Sequence, residues 1–335
     1  MQTVFFENKP RIVATGTVAG PKECAGVVGK YVDKALTEDT FGESTYEKAE
    51  CKMLSYAISR AIENAGLSEG EIDLLISGDL LNQIISASFA ARDFNFPFLG
   101  VYGACSTMAE SMAVAAAFVN AGYYQKIVAA TGSHFSSAER QYRYPLELGN
   151  TRPPQSQWTV TGAGGALIAD MGGGKAAKNS PAITCATFGK VVDYGITDVN
   201  NMGASMSPSA MRTILAHLRD TGRKAGYYDL IVTGDLGALG SRILKDLIWE
   251  KGVDIAPNHV DCGEIIYNVI EDEFQGGSGA GCSAVVFNSY IMDKLKRKEI
   301  NRVLFVATGA LLSTVSSGQG ESIPCISHAV AVENV

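Results

Sequence analysis

The stretch IDLLISGDLLNQ at residues 72–83 returns as YDLIVTGDLGAL at residues 228–239. Each copy sets an acid before an apolar, strand-like run and ends the run on Gly-Asp-Leu, with Asp79 and Asp235 in matching places 156 residues apart. Two further echoes follow in the same order. GACS around Cys105 is matched by AGCS around Cys282, and KIVAATG at 126–132 by RVLFVATG at 302–309, both at an offset of 177 residues. Three echoes in one order predict a duplicated chain, whose second copy carries about 21 extra residues (177 less 156) between its Gly-Asp-Leu and its Cys-Ser.

Within each copy, apolar strand-like runs alternate with helical patterns, so the expected class is α/β, with mixed or parallel sheets covered by helices. The segment at 46–65 puts Met53, Ala57, Ala61 and Ile62 on one stripe and meets a stop at Gly66. GGGK at 172–175 is the expected join, giving halves of 1–175, which carries Cys105, and 176–335. Stretches 145–165 and 275–283, rich in Gly or Pro, are expected as loops beside a pocket.

Composition narrows the function. A 335-residue chain with 46% hydrophobic and 19% charged residues can bury a large core. A formal charge of −7 argues against a nucleic-acid surface, which needs clustered Lys and Arg. The N-terminus lacks the order of a secretory signal and no run of eighteen apolar residues appears, so the chain is soluble and cytoplasmic in type. Seven scattered cysteines (24, 51, 105, 185, 262, 282 and 325) without a CxxC support neither a disulfide framework nor a zinc site. Four histidines, at 134, 217, 259 and 328, leave little for acid–base chemistry.

Cys105 is the residue that marks a pocket. FPFLGVYGA before it reads as a strand, and the helical spacing of Met108, Met112, Ala115 and Val119 after it reads as a buried helix. The thiol then lies at a strand-to-helix elbow, where free backbone N–H groups stabilise a thiolate or a bound anion. Gly103 permits a tight turn there. The alternative is an inert buried cysteine, since free Cys is usually packing.

AIENAGLSEGEIDLLISGD, then GACSTMAESMAVAAAFVNAG, then KIVAATGSH, with a second copy of the layout, resembles the thiolase superfamily of acyl-condensing enzymes across the chain. The resemblance implies a thiolase-like fold, two duplicated α/β halves with layered sheets around central helices, and puts Cys105 at the nucleophile position. Condensation also needs His and Asn, or His and a second Cys. Where the superfamily carries that histidine this chain reads Gly234-Asp235, and where it carries the asparagine it reads Ser278 or Gly279. The terminal Cys-Gly motif is replaced by ATGALLS at 307–313. His259 and His328 are the remaining substitutes, and a lone His is more often structural.

AGPKE at 19–23, GDLLNQ at 78–83, AERQYRYPLELG at 138–149, TVTGAGG at 159–165, HVDCGEIIY at 259–267 and FQGGSGAGCSAVV at 274–286 narrow the resemblance to the stage V sporulation protein AD family of spore-forming bacteria. That resemblance implies non-catalytic binding of dipicolinic acid (pyridine-2,6-dicarboxylic acid), alone or with calcium, for uptake into the developing spore. It implies membrane-embedded uptake proteins as partners, a homodimer, no cofactor, and a peripheral place at the forespore or spore inner membrane. The alternatives are an acyl-transfer enzyme using Cys105 as nucleophile and a purely structural subunit.

A flat aromatic dianion wants donors or cations at two edges and apolar walls on its faces. By resemblance the elbow at Cys105, the loop from Gly276 to Cys282 and the turn from Gly309 to Ser313 converge on the cleft, with Ser278 and Ser313 as hydroxyl donors. His134 lies nearby in sequence, and Arg140 and Arg143 are candidates for the carboxylate edges, unless they form a surface cluster with Glu139 and Glu147. Asp79 and Asp235 either orient pocket backbone, contact calcium, or cap the helices that follow them. The basic run LKRKEINR at 295–302 is a membrane contact or the solvated end of a helix. Metal ligands cannot be assigned.

Overall fold

In the computed structural model, which describes residues 1–142, 152–170, 180–267 and 274–335, the repeat of sequence is a repeat of structure. The expected join at 172–175, and Arg143 and Glu147, lie outside the described residues. The first half runs β1 (Arg11–Ala19), α1 (Tyr46–Asn64), β2 (Leu74–Gly78), α2 (Ile85–Ala91), β3 (Phe98–Gly100), α3 (Thr107–Asn120), β4 (Lys126–Ser133), α4 (Phe135–Tyr142) and β5 (Gly162–Ala169). The second runs β6 (Ala182–Thr187), α5 (Met202–Thr221), β7 (Leu230–Thr233), α6 (Gly237–Trp249), β8 (His259–Asp261), α7 (Cys262–Ile266), α8 (Ala280–Val286), α9 (Met292–Lys296), β9 (Arg302–Ala310) and β10 (Cys325–Glu333). The extra residues of the second copy go into a longer α6 (13 residues against 7 in α2), into α7 and into the short strand Gly277–Ser278.

Strand order along the hydrogen-bonded path is β3-β2-β4-β5-β1-β6-β10-β9-β7-β8, so the second half mirrors the first about the β1–β6 junction. In each half the strand carrying Gly-Asp-Leu is parallel to both neighbours, whereas the other two pairings are antiparallel. β1 meets β6 at one register pair, Arg11 opposite Ala182, flanked by Ile12 N to Pro181 O and Ile183 N to Pro10 O, and the N-terminal strand Thr3–Phe5 crosses over to pair antiparallel with β6. The layered sheets expected from the resemblance are therefore two wings of one continuous mixed sheet.

The wings fold over the central helices. α3 touches β2, β4 and β5 of its own half and β9 and β10 of the other. Its Met108 and Met112 are fully buried with Ile76, Ile168, Phe305 and Val330, as the helical stripe requires. All seven residues of α8 are buried beside it. On the outside, α1 buries the predicted Met53, Ala57, Ala61 and Ile62. Its start is fixed by the Thr45 side chain, which accepts from Lys48 N. Its end falls just before Gly66, whose φ of +70° suits glycine. α5 covers β9 and β10 in the same way.

Of FPFLGVYGA, only Phe98–Gly100 is strand, and it is the exposed edge of its wing rather than a buried one. The basic run at 295–302 is the end of α9 and the turn after it, where Arg297 pairs with Asp293 and Lys294 with Glu299 on the surface. Among the described residues no helix is long and apolar enough to cross a membrane.

Candidate functional site

The elbow is tighter than the sequence suggests. Ala104, Cys105 and Ser106 form a single 3-10 turn that hands the chain to α3. The strained residue is Ala104, at φ +50°, and not Gly103, whose φ is −116°. A left-handed alanine costs roughly 1–2 kcal/mol, and such strain collects where side chains must be aimed. Gly103 is needed for space instead, since a Cβ there would meet Ser106 Oγ at 2.4 Å and Glu110 Oε2 at 2.6 Å. Ser106 and Thr107 turn back to bond Gly103 O and Ala104 O at 2.7 Å each, locking the turn.

Cys105 is half-buried and opens into a pocket of about 480 Å³ of atom-free space, counting its mouth. Apolar walls come from Leu80, Ala104, Ala138, Met202, Met206 and Leu312. Polar groups come from Tyr102, Glu139, Tyr142, Thr159 and Ser278. Thr159 and Ser278 lie on two short strands, Trp158–Thr159 and Gly277–Ser278, which pair in parallel. The two Gly- and Pro-rich loops thus meet as a two-stranded ribbon on the pocket wall.

Behind the ribbon, fully buried Asp235 gathers donors. Its Oδ2 accepts from Ser278 Oγ at 3.1 Å and Gly279 N at 3.0 Å, and its Oδ1 from Thr308 Oγ1 at 2.8 Å. The Cys105 side chain also acts on this carboxyl, holding its value down. Burial pushes the Asp235 carboxyl up to about 6, against the pull of Thr308, Cys105, Gly279 and Ser278.

Asp79, its repeat partner, does different work. It accepts from Leu81 N and Ala87 N, each at 2.7 Å, and fastens the start of α2, so of the three roles open to it the structure selects capping. In the second half that duty passes to Asp261, which binds Leu236 N and Gly237 N at the start of α6 and Gly263 N and Glu264 N at the start of α7. Asp235 is thereby released to take Ser278, Gly279 and Thr308.

Several expected site residues are elsewhere. His134 is fully buried and structural: Ser136 N donates to its Nδ1, so its Nε2–H donates to Asp39 O at 3.0 Å, and its ring lies on Tyr46. Burial lowers its basicity. Arg140 pairs with Glu47 on the surface, pointing away from the pocket, because α4 buries its opposite face. Glu139, one residue earlier, is the wall residue. It is 3% exposed, accepts from Thr159 Oγ1 at 2.8 Å, and has Arg152 Nη1 at 3.9 Å. Ser313 caps the helix Thr314–Gly318, where its hydroxyl accepts from Ser316 N. Gly309 lies behind the elbow, and the turn lines the pocket through Ala310 and Leu312. His259 bonds Thr233 Oγ1 at 2.9 Å and His328 accepts from Gly189 N at 3.3 Å, so neither replaces a catalytic histidine. Among the described residues lining the pocket there is no Lys, Arg or His.

Sequence reading missed Tyr102 and Tyr142, whose hydroxyls meet at 3.3 Å. Burial pushes both phenols up, so both keep their protons at neutral pH. One proton serves the mutual bond and the other is left to donate. Nothing in local sequence pairs residues 40 apart; a tyrosine immediately before the elbow glycine-alanine pair was the available signal.

The family description "Stage V sporulation protein AD (SpoVAD)" matches residues 1–333. The chain is also 45% identical over 332 residues to the stage V sporulation protein AD of Bacillus subtilis (strain 168), covering 99% of this chain and 96% of that one. This chain belongs to the stage V sporulation protein AD family. Among solved structures it is similar to a histidine-to-asparagine variant of Xanthomonas campestris OleA, with a TM-score of 0.64 at 14% identity over 98% of this chain and 99% of that one. The same variant with cerulenin gives a TM-score of 0.62 at 13% identity, covering 98% of each chain. A likeness at that identity carries the fold alone, and the fold is thiolase-like α/β.

This family member buries a further acidic group, on α1. Glu50 of α1 is 1% exposed, with one oxygen held by Ser137 Oγ at 2.5 Å and the other without a hydrogen-bond partner. Burial, then the Asp79 charge, push its carboxyl well above the ordinary carboxylate range. A carboxyl raised in the folded state holds its proton there more firmly than in the unfolded chain, so its contribution to stability declines as pH rises above about 4.5 and through the folded value. Glu50→Gln carries no such term. The melting temperature of Glu50→Gln relative to the unsubstituted protein is expected to climb between pH 5 and pH 9. Parallel melts at the two values check it.

Proposed function

We propose that the pocket beside Cys105 binds dipicolinic acid for uptake into the developing spore, and that the chain performs no acyl condensation. The observation that carries this reading is a described pocket lining that sets apolar walls around Cys105 with a tyrosine pair and no histidine. In that described lining no imidazole is placed to serve as the base of a condensation. What remains suits a small planar ligand: apolar walls for its faces, and the Tyr102–Tyr142 pair with the Cys105 elbow for its edges.

The pocket wall carries Glu139, whose carboxylate has Arg152 Nη1 at 3.9 Å, and the calcium chelate of the ligand would bring its own charge compensation. Among the described residues no group of three or more His, Cys, Asp or Glu could hold a metal, so calcium would arrive on the ligand rather than occupy a cage of its own. Membrane-embedded uptake proteins would complete the transport path. The homodimer has a candidate surface in the open edge of β3, where Phe98 and Leu99 are 36% and 37% exposed.

Titration calorimetry with dipicolinate, with and without calcium, tests the reading. Saturable heat is expected for the unsubstituted protein, stronger with calcium, and weaker for Cys105→Ala. No heat at millimolar ligand in either condition overturns it. Incubation with acyl-CoA followed by intact mass measurement addresses the enzyme reading: a stoichiometric adduct that turns over would favour acyl transfer.

A further inference from the structure

The hydroxyls of the pocket wall are unevenly committed. Thr159 Oγ1 donates to Glu139 Oε1 at 2.8 Å and Ser278 Oγ to Asp235 Oδ2 at 3.1 Å, so each gives its one proton to a carboxylate of the protein. Tyr102 and Tyr142 differ. Among the described residues each hydroxyl has only the other as hydrogen-bond partner, at 3.3 Å. That separation is long for two hydroxyls, which bond best at about 2.5–3.0 Å, so the pair holds two protons and makes one weak bond with them. Both rings are set in place. Tyr102 lies between Val101, whose N–H donates to Ser77 O at 3.0 Å, and Gly103, whose N–H donates to Thr107 Oγ1 at 3.2 Å. Tyr142 ends α4 and packs on two apolar clusters, one containing Met202 and Met206 and the other Leu80 and Ala104. Its neighbour Gln141 accepts from Asn82 N at 3.0 Å.

We propose that Tyr102 and Tyr142 form a two-donor clamp for the carboxylate of an aromatic acid, each phenol giving its proton to the ligand. An acceptor oxygen set between hydroxyls 3.3 Å apart lies within hydrogen-bond reach of both. A hydrogen bond to an ionised carboxylate is about twice as strong as one between neutral groups, so one weak mutual bond is exchanged for two strong ones. Burial keeps both phenols protonated at neutral pH, as donors must be. Because the rings come fixed on separate elements, little side-chain freedom is lost when the acid enters. Leu80, Met202, Met206 and Leu312 offer the apolar surface that the faces of its ring require. The clamp deepens the binding reading by naming the groups that grip the acid, and it rests on that pocket being a binding site.

Fluorine NMR titration with para-fluorobenzoate and para-fluorotoluene tests it, the second probe having the same ring and no acceptor oxygen. Tyr102→Phe and Tyr142→Phe each remove one hydroxyl and leave the aromatic ring. Each is expected to weaken para-fluorobenzoate about tenfold, the loss of one hydrogen bond to a charged group, and to leave para-fluorotoluene within about twofold. Unchanged para-fluorobenzoate affinity in both variants overturns the clamp, as does the absence of para-fluorobenzoate binding to the unsubstituted protein. An equal loss of both probes overturns it too, because the phenols would then be wall alone. A loss confined to one variant overturns it by making that residue a single donor. Dipicolinate titrated in the same series separates the two readings. Para-fluorobenzoate held by both phenols with no dipicolinate binding leaves the clamp standing and removes the dipicolinate reading. Dipicolinate bound equally by all three proteins does the reverse.

Discussion

Replacing Asp235 with alanine is expected to lower folding stability by about 3–6 kcal/mol at pH 5 and by markedly less at pH 8. The loss arises because Ser278 Oγ, Gly279 N and Thr308 Oγ1 all end on this carboxyl. Each buried donor stripped of its acceptor costs about 1–3 kcal/mol, and the hydroxyls recover part by rotating whereas the fixed Gly279 amide cannot. The pH dependence follows from the raised carboxyl. Its value moves from 3.8 to about 6 on folding, so the folded state binds the proton more tightly and wild-type stability from this group declines as pH rises through about 6. Two units or so correspond to about 3 kcal/mol over the whole range from below 3.8 to above 6, of which roughly 1.4 kcal/mol falls between pH 5 and pH 8, a penalty that alanine does not carry. The unsubstituted protein should therefore outlast the variant by most at pH 5. Urea unfolding at both values measures it, and a difference that grows toward pH 8 would contradict the burial-dominated account of this carboxyl.

The second large effect is expected at Gly309. A Cβ at this position would fall 2.0 Å from Gly103 O and 3.2 Å from Ser106 N, both backbone atoms of the elbow, so no side-chain rotation relieves the contact. β9 must retreat or the Ala104 turn must unwind. Gly309→Ala is expected to destabilise by about 3 kcal/mol or more, the upper end for overpacking, and to abolish ligand heat by moving Cys105. Gly226→Ala is the matched control. Nothing lies within 4 Å of its Cβ and its φ is not positive, so it should stay within about 0.5 kcal/mol of the unsubstituted protein. Equal behaviour of the two variants would mean that the elbow is not wedged against β9.

The architecture was legible because duplication writes the same strand, turn and helix signals twice. IDLLISGDL and YDLIVTGDL became β2 and β7 at mirrored places in the sheet, and KIVAATG and RVLFVATG became β4 and β9. The position of Cys105 was legible for the same reason: an apolar run, a glycine and a helical stripe place an elbow without long-range information. The site's chemistry was less so. His134 and Arg140 belong to a segment next to the pocket in sequence, but α4 has two faces. Its register sends Ala138, Glu139 and Tyr142 to the wall while Arg140 goes to solvent and Glu47. A one-residue step on a helix turns a side chain by about 100°, which proximity in sequence cannot resolve. Ser313 was misassigned because a serine before a short helix serves first as its cap.

The sequence by itself determined that this chain is a doubled α/β unit with a cysteine elbow and without a histidine after β7, since strand periodicity, spacing and the absence of a residue type are local facts. Only the tertiary structure decided what the two Gly-Asp-Leu aspartates do. Their local contexts are nearly the same, and a capping role for both was a sound expectation. In the second half, however, β8 brings Asp261 to the amides that Asp235 would otherwise hold, and α8 with β9 brings Gly279 and Thr308 to Asp235 instead. A carboxylate settles wherever the most buried donors converge, and that convergence is a sum over segments up to 73 residues away.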